Sequence, residues 1–438
     1  MPEPAVWPAP PAPVVDGCDL PFEPSRERVK LLHVITRLAG GSGGNTLLSA
    51  IGMDADRYEV WLAGGAGGRL WERARAAGVR TVEIPTMVER ISPAEDLATL
   101  RTLRALIRRE RFDIVHTHCA KAGAIGRVAA RLTGAPVVVH TYHAFPFHGY
   151  MGAARRAAYV GVERAVGRLT DRTFGVSPRV ARDAVAMRLA RPGTATVVPS
   201  AVELDGVPDV PDPALRRELG LPEGAPVVGT VGRLVFQKAP LDFVRMAATV
   251  AARRPDARFV VVGDASLESA PLDRAAREEA RRLGVDVVFT GFRADAARVA
   301  SLFDVFVISS LYEGLGRSLT EAMASGRPVV ATAVNGVPDL VEPGATGLLA
   351  PPRRPDLLAA GVLWLLDHPL EARRIGAEAR RRVRSRIFEP ATMCGILDRE
   401  YAALLGLPPP RPEAGPEGDR VPPGPPADLV AADVDVLG

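Results

Sequence analysis

Residues 309–352 read SSLYEGLGRSLTEAMASGRPVVATAVNGVPDLVEPGATGLLAPP, and this stretch decides the fold class. The continuous apolar run at 305–310 predicts a buried strand, and the spacing of 317–325, which ends before Gly326, predicts a helix. A short loop joins the two elements. Because ligands bind beyond the carboxyl ends of strands in open α/β sheets, we expect this loop to form part of a binding site.

Two carboxylates and two glycines give this loop its chemical character. Glu313 precedes Gly314 and Gly316, and Glu321 lies on the predicted helix. Carboxylates accept hydrogen bonds from hydroxyl groups, whereas glycine amides and a helix N-terminus favour anionic oxygens. A nucleotide sugar carries both kinds of group. The alternative is an ordinary strand, turn and helix with two solvated glutamates.

The segment 227–240, VVGTVGRLVFQKAP, supplies positive charge beyond a second predicted strand. Arg233 presents a planar fork of donors and Lys238 a compact charge, and both suit phosphate oxygens. Of the 55 basic residues only Lys30, Lys121 and Lys238 are lysines. A lysine in a chain so rich in arginine favours a geometric role for Lys238, while the position of Lys30 is explained by chance.

The combination of GRLVFQK with EGLGRSLTE resembles the retaining glycosyltransferases of family four, over residues 30–405. The resemblance implies an α/β protein of GT-B fold, with two facing Rossmann-like domains, parallel sheets and a cleft between them. It also implies that Arg233 and Lys238 bind the donor diphosphate and that Glu321 binds the ribose. Glu313 would act in catalysis and, with Gly314, Leu315 and Gly316, would hold the transferred sugar.

The N-terminal half begins with a predicted strand at 30–38 and a glycine-rich run at 40–45. We expect a loop here, with Gly43 and Gly44 close to the donor diphosphate. A dinucleotide-binding fingerprint is the competing interpretation. Thr46 stands where its third glycine belongs, and the second predicted strand, at 58–62, ends without the ribose-binding acid. NAD binding is therefore disfavoured.

Histidines follow two successive predicted strands, in HTHCAKAG (116–123) and HTYH (140–143). The His-x-His spacing of His116 and His118 is typical of metal ligands, but no set of carboxylates or cysteines accompanies them. The Asp-x-Asp pairs, at 54–56 and 433–435, are also poorly placed for a metal, so we expect none. In the family that the chain resembles, the histidine of an HTxH element lies near the donor phosphate and the reacting carbon, which assigns His143 a catalytic role. The alternative is that His143 is a structural histidine whose hydrogen bonds are satisfied within the protein core.

The nucleobase is expected beyond the predicted strand at 285–289, near Gly291 and Phe292. Uridine is the expected base because UDP donors are common among similar enzymes. No residue pattern in the chain identifies the base directly.

Composition places the chain among ordinary globular proteins of two domains, with 438 residues, 47% hydrophobic and 24% charged. Three cysteines at unrelated spacings predict no disulfide framework, and the sequence shows neither a signal pattern nor a membrane-spanning run. We therefore expect a cytoplasmic enzyme. The net charge of +4 accompanies no nucleic-acid motif, so nucleic acid is not an expected partner.

The predicted domain plan has five parts. Residues 1–27 and 407–438 are Pro-rich tails that we expect to be disordered. Residues 28–205 would form the acceptor domain, 206–385 the nucleotide-sugar domain, and 386–406 a helix that packs back on the N-terminal domain, with a linker near 201–213.

One segment raises the question of a membrane. Phe145, Phe147 and Tyr150 precede a predicted helix rich in arginine, and aromatic residues beside a basic helix suit an interfacial docking face. Peripheral association with the inner membrane face is therefore one prediction. The alternative is that the aromatic residues line the acceptor side of the cleft.

The predicted activity is transfer of a sugar from a nucleotide diphosphate, expected to be UDP, to a hydroxyl of a glycan, a lipid-linked glycan or a small molecule. The resemblance implies retention of anomeric configuration, and we expect no cofactor. The competing classes are a nucleotide-sugar 2-epimerase, a sugar phosphorylase and a non-catalytic glycan-binding protein.

Overall fold

The computed structural model describes residues 28–204, 212–265 and 269–409, which form two compact units. The first unit contains residues up to Val198 and those from Met393 onward, and the second runs from Pro199 to Thr392. The N-terminal tail, most of the C-terminal tail and most of the predicted linker lie outside the described residues, so the predictions about them stay predictions.

The first unit is built on a seven-stranded parallel sheet in the order β3-β2-β1-β4-β5-β6-β7. Its central strands are buried on both faces, as expected for a parallel sheet covered by helices, and β4 and β5 carry buried histidine and threonine residues near their carboxyl ends. The strands are β1 Val29–Arg37, β2 Tyr58–Gly65, β3 Arg80–Glu83, β4 Ile114–His118, β5 Val137–Tyr142, β6 Arg172–Gly175 and β7 Ala195–Val197.

The helices of the first unit connect these strands and cover both faces. They are α1 Gly40–Ile51, α2 Leu70–Ala76, α3 Pro93–Glu110, α4 Ala120–Leu132, α5 Ala153–Gly167, α6 Pro178–Ala186 and, after the second unit, α15 Pro390–Leu405. Helix α15 joins the first unit because its polar groups find partners there: the Tyr58 hydroxyl donates to Asp398 Oδ1 at 2.5 Å. Arg57 pairs with the same carboxylate at 3.1 Å.

The second unit has a six-stranded parallel sheet in the order β10-β9-β8-β11-β12-β13. Its strands are β8 Val227–Val231, β9 Arg258–Val262, β10 Val287–Gly291, β11 Val305–Ile308, β12 Val329–Thr332 and β13 Leu348–Ala350. Its helices are α7 Pro213–Glu218, α8 Pro240–Ala251, α9 Ala270–Leu283, α10 Ala296–Ala300, α11 Arg317–Ala324, α12 Val337–Leu340, α13 Pro355–Asp367 and α14 Pro369–Val383, with a 3-10 turn at Phe236–Lys238.

The glycine-rich run after β1 departs from the predicted loop, because α1 already begins at Gly40. Gly43 is buried in its first turn, and a Cβ added there would come within 2.8 Å of the Leu38 carbonyl carbon. The glycines therefore let the helix start immediately after the strand and pack closely against it. This correction moves Gly43 and Gly44 from a loop into a helix.

No helix of the described residues is both long enough and apolar enough to cross a bilayer.

A buried ion pair fastens α5 to α4 in the first unit. Arg127 Nη2 lies 2.8 Å from Glu163 Oε2, and both side chains are almost fully buried. The Tyr142 hydroxyl donates to the same carboxylate oxygen at 2.8 Å, and Arg127 Nε donates to the Gly123 carbonyl at 2.8 Å. Loss of one partner would leave a buried charge uncompensated.

We therefore expect Glu163→Leu to lower the free energy of unfolding by about 3–5 kcal/mol. The exposed pair of Glu371 and Arg374 provides a control, and Glu371→Leu should cost less than about 1 kcal/mol. Thermal denaturation of the purified variants measures both changes. Equal shifts of the two melting temperatures would contradict the assigned importance of the buried pair.

Candidate active site

A pocket in the second unit opens at the carboxyl ends of the adjacent strands β8 and β11. Gly232, Arg233 and Lys238 line it after β8, and Ser309 and Ser310 line it after β11. The pocket therefore lies where parallel strands end, as the sequence predicts, and its polar residues come from segments about 75 positions apart in the chain.

Glu313 is the most enclosed charged group of this site, with 6% of its side chain exposed. Its Oε1 accepts hydrogen bonds from Lys238 Nζ and, at 2.7 Å, from the Ser310 hydroxyl. Its backbone amide donates to Asn335 Oδ1 at 3.0 Å. Groups from the loops after β8 and β11 hold the buried carboxylate, and a group from the loop after β12 holds the Glu313 backbone. Glu313 is therefore fixed in position rather than solvated, which removes the alternative of a solvated glutamate.

The loop that carries Lys238 is held to the neighbouring strand by backbone contacts. The Leu311 amide donates to the Gln237 carbonyl at 2.8 Å, and the Ser309 hydroxyl donates to the Lys238 carbonyl at 2.9 Å. Ala239 then adopts a left-handed conformation, with φ of 45°, before Pro240 opens α8. This turn sets the direction in which the lysine leaves the backbone.

Arg233 adds an exposed guanidinium to the same pocket wall. Its charge acts on Tyr312, where it opposes burial and the Glu313 charge, the two causes that raise the pKa of the Tyr312 hydroxyl. Arg233 and Lys238 thus place two cations on the pocket wall, and Lys238 also pairs with the buried Glu313 carboxylate. Such a site suits a ligand with both anionic oxygens and hydroxyl groups.

Glu321 lies on α11, which starts after the left-handed Gly316, with φ of 89°. The carboxylate is 26% exposed and lies 3.8 Å from Arg317. Burial raises the pKa of Glu321, and the charge of Glu203 adds to that effect, whereas Arg317 opposes it. Glu321 is therefore easier to protonate than an ordinary glutamate.

Gly291 and Phe292, predicted near the nucleobase, lie at the end of the edge strand β10. Gly291 has a φ of 70°, and Phe292 is 54% exposed. Neither residue lines the pocket that contains Arg233 and Lys238. Their contact with a base stays a prediction.

Comparison with known proteins identifies the fold and its chemistry. Residues 225–368 match the family model described as glycosyl transferases group 1, and residues 40–201 match a glycosyl transferase 4-like domain. The chain is 32% identical over 275 residues to the UDP-Gal:α-D-GlcNAc-diphosphoundecaprenol α-1,3-galactosyltransferase of Escherichia coli, covering 62% of this chain and 70% of that one. The chain belongs to the family-four glycosyltransferases.

Other relatives widen the range of substrates within the family. The GDP-mannose-dependent α-mannosyltransferase of Mycolicibacterium smegmatis is 36% identical over 302 residues, which are 67% of this chain and 74% of that one. The structure of Anabaena HepE in complex with UDP and glucose matches with a TM-score of 0.74 at 20% identity, over 86% of this chain and 100% of HepE. This structural likeness confirms the predicted GT-B fold.

The first unit of this glycosyltransferase gathers its histidines on and beside β1, β4 and β5. His118 Nδ1 lies 3.1 Å from His143 Nε2, and His118 Nε2 lies 2.9 Å from His33 Nδ1. His116 instead pairs with the Tyr401 hydroxyl at 2.6 Å and the Thr141 hydroxyl at 2.7 Å. His140 pairs with the Thr117 hydroxyl at 2.9 Å.

The sequence did not single out His33, although it brings a third imidazole into this group. Nitrogen atoms of His33, His116 and His118 lie within 4.8 Å of one another, which is close enough for a shared metal ion. Both ring nitrogens of His116 already face hydroxyl groups, however. The expectation that the glycosyltransferase needs no metal stays a prediction.

Two further predictions change in the light of the structure. The Gly43 amide donates to the Ala39 carbonyl at 3.2 Å within the first turn of α1. A diphosphate would have to replace this hydrogen bond to bind the Gly43 amide, and contact of Gly43 and Gly44 with a diphosphate stays a prediction. Phe145 and Phe147 are only 9% and 6% exposed, and they stack on each other inside the first unit. They are therefore not an exposed docking face, which leaves Tyr150, 39% exposed, as the accessible aromatic ring of that loop.

Sequence reasoning also missed Ser310 and Asn335, which hold Glu313 in place. Asn335 has a φ of 41° and is followed by Gly336, directly after β12. An Asn-Gly pair beyond a buried strand is a recognisable turn signal that could have placed an amide side chain at this edge of the sheet.

Proposed function

We propose that this glycosyltransferase transfers a sugar from a UDP-sugar to a hydroxyl group of a glycan carried on a lipid diphosphate, with retention of anomeric configuration and without a divalent cation. The observation that carries the proposal is the buried Glu313 carboxylate paired with Lys238 beside Arg233. The lipid-linked acceptor is proposed from the name of the Escherichia coli relative.

The proposed donor site assigns each charged group a separate task. Arg233 and Lys238 would bind the diphosphate, where negative charge grows as the bond to the sugar breaks. Glu313 would accept hydrogen bonds from the sugar hydroxyls, and Glu321 would accept them from the ribose. Because Lys238 bonds Glu313, the lysine would link the carboxylate at the sugar with the charge on the leaving diphosphate.

The proposed transfer breaks the bond between the anomeric carbon and the diphosphate oxygen and forms a bond from that carbon to the acceptor oxygen. The acceptor hydroxyl approaches the face from which the diphosphate departs, and its proton passes to the departing diphosphate oxygen. The positive charge of the oxocarbenium-like sugar favours a carboxylate nearby, which is the role proposed for Glu313. His143 would donate a hydrogen bond to the donor near the reacting carbon.

A transfer assay in EDTA tests the proposal. The purified enzyme is incubated with UDP-sugars and a lipid-diphosphate-linked acceptor, and NMR of the product reports its anomeric configuration. Retained configuration at a rate unaffected by EDTA is the expected result. Epimerised donor in the absence of acceptor, an inverted product, or turnover that requires added Mg²⁺ would contradict it.

The raised pKa of Glu321 predicts a pH-dependent affinity for UDP. The ionised Glu321 carboxylate accepts hydrogen bonds from the ribose hydroxyls. The affinity for UDP is therefore highest above this pKa and falls as the pH drops through it. Because the pKa lies above the ordinary 4.5, the loss should begin at a higher pH than for an exposed glutamate. Calorimetric titration of UDP into wild type and Glu321→Gln, from neutral pH downward, measures the effect.

UDP itself titrates, and this affects wild type and Glu321→Gln equally. The ratio of their dissociation constants for UDP therefore reports the Glu321 carboxylate alone. We expect Glu321→Gln to bind about 10- to 100-fold more weakly at neutral pH and the ratio to approach one in acid. A ratio that stays constant with pH would contradict the role of the Glu321 carboxylate.

We also propose a peripheral contact with anionic lipid through the charge of α5 rather than through aromatic insertion. Arg155 and Arg164 are exposed on this helix, and Arg168 is exposed at its C-terminal end. Each arginine near an anionic surface contributes about 1 kcal/mol. Flotation with phosphatidylglycerol vesicles should carry wild type but not an Arg155→Glu/Arg164→Glu/Arg168→Glu variant, and protein that remains entirely in the soluble fraction would contradict the contact.

A further inference from the structure

Three imidazoles of the first unit form a continuous hydrogen-bonded row. In the register of the sheet, His33 on β1 pairs with His116 on β4, and His118 lies two residues further along β4. His118 pairs with Thr141 on β5, and His143 follows two residues after Thr141. Side chains two apart share a face of the sheet, so the row of His33, His118 and His143 runs obliquely from the middle of β1 to the carboxyl edge of the sheet.

The first two rings of the row, His33 and His118, are buried and neutral. His33 and His118 are 0% and 1% exposed. Burial lowers the pKa of His33 to about 3 and the pKa of His118 well below its ordinary value. A neutral imidazole has one donor nitrogen and one acceptor nitrogen. The nitrogen that carries the proton in one ring therefore determines which nitrogen carries it in the next ring. The ring planes of the two neighbouring pairs lie within 24° and 28° of each other, with centroids 5.2 and 5.3 Å apart, which fits hydrogen bonds made in the plane of the rings.

Only two proton arrangements satisfy both hydrogen bonds of the row. In one, every ring carries its proton on Nε2, and His33 then buries an Nε2–H group that has no partner among the described residues. In the other, every ring carries its proton on Nδ1, and the buried Nε2 atom of His33 is then an acceptor with a lone pair and no proton. Buried N–H groups without a partner are rarer than acceptors without one, which favours the second arrangement.

We propose that His33 and His118 are positioning residues that fix His143 as the Nδ1–H tautomer and hold the plane of its ring. This inference rests on the proposed function, in which His143 donates a hydrogen bond to the donor. His118 Nδ1–H donates to His143 Nε2, and His33 Nδ1–H donates to His118 Nε2. His143 therefore keeps its proton on Nδ1, in the form that donates to a phosphate or sugar oxygen.

A metal ion shared by these histidines is the competing assignment. Two nitrogens at 2.0–2.1 Å from a tetrahedral zinc lie about 3.3 Å apart. The 2.9 Å between His33 and His118 is instead a hydrogen-bond distance. His116, the third member of the group, already pairs with two hydroxyl groups.

The activity test compares two substitutions of His118. His118→Leu removes the donor to His143 and should lower kcat about 10- to 100-fold with KM for the UDP-sugar within about twofold. His118→Asn places an amide where Nδ1 lay, can still donate to His143 Nε2, and should recover most of the turnover. His140→Leu is the matched control, because it removes an equally buried imidazole that pairs with the Thr117 hydroxyl outside the row. Its kcat should stay within about twofold of wild type.

The tautomer test does not depend on turnover. Nitrogen NMR of the full chain labelled with 15N-histidine, assigned by the signals lost in His143→Leu, should show the His143 proton on Nδ1. In His118→Leu the same signals should shift toward a mixture of tautomers. This measurement on wild type remains decisive even if His118→Leu folds poorly.

Three results would overturn the proposal: an Nε2–H tautomer of His143 in wild type, equal kcat for His118→Leu and His140→Leu, or one equivalent of tightly bound metal in the purified enzyme. His143→Leu separates this failure from a failure of the proposed function. If His143→Leu keeps full turnover, the catalytic role of His143 and its positioning both fall. If only His143→Leu loses turnover while His118→Leu does not, the positioning role alone is wrong.

Discussion

Glu313→Gln is expected to lower kcat about 10²- to 10³-fold while the dissociation constant of UDP stays within about twofold. The carboxylate is 6% exposed and is held by Lys238 and Ser310, so its charge is directed at one place rather than screened by water. An amide of the same shape keeps contacts with hydroxyl groups but loses the charge that stabilises the oxocarbenium-like sugar. Steady-state transfer kinetics and calorimetric titration with UDP measure the two effects.

Glu342→Gln is the matched control for this change. Glu342 lies in the same unit, 3.3 Å from Arg382 and away from the pocket. Its substitution should leave both kcat and UDP affinity unchanged. If Glu313→Gln kept wild-type kcat, or lost its turnover only through weaker UDP binding, Glu313 would not act on the transferred sugar.

Lys238→Met is expected to impair both stability and UDP binding, for different physical reasons. Without its cation, Glu313 keeps a buried charge that only neutral groups contact, and the free energy of unfolding should fall by about 3 kcal/mol, a value at the low end because Lys238 is partly exposed. Loss of a charge at the diphosphate should raise the dissociation constant of UDP about 10- to 100-fold. Chemical denaturation and calorimetry report the two quantities separately.

The double variant Lys238→Met/Glu313→Gln separates these effects. Removing both charges should restore most of the stability, with a coupling free energy of about 1–3 kcal/mol, but should leave UDP affinity as low as in Lys238→Met. Lys30→Met provides the control, because Lys30 is 14% exposed and pairs with Glu110 at 3.3 Å in the first unit, and it should affect stability alone. Additive stability changes would show that Lys238 and Glu313 do not depend on each other.

The elements around the candidate site were predictable because their signals are local. The apolar run at 305–310 and the helix that follows it appear as β11 and α11, with Gly326 in a left-handed conformation after the helix. The GT-B fold and the glycosyltransferase family, both expected from the motifs around Arg233 and Glu313, are confirmed by the comparisons.

The partners of these residues were not predictable, because they depend on which strands are neighbours. Glu313 and Lys238 were assigned separate tasks from separate motifs. Their pairing follows from the adjacency of β8 and β11 in the sheet, which no local pattern shows. His33 was missed for the same reason, since only the register of β1 against β4 places it beside His118.

Two interpretations based on local composition were wrong. The glycine run at 40–45 was predicted as a loop, but its glycines serve close packing of α1 against the end of β1. Phe145 and Phe147 were predicted as an exposed face in one interpretation, yet the chain buries them, since burial is decided by what covers a residue rather than by its own type.

The most direct test of the account is the affinity of UDP for wild type, Glu321→Gln and Glu313→Gln at one neutral pH. If the donor site is built as proposed, UDP binds wild type, Glu321→Gln binds about 10- to 100-fold more weakly, and Glu313→Gln binds within about twofold of wild type. Equal losses of affinity in the two variants, or no binding of UDP to wild type, would contradict the proposed division of the site between ribose and transferred sugar.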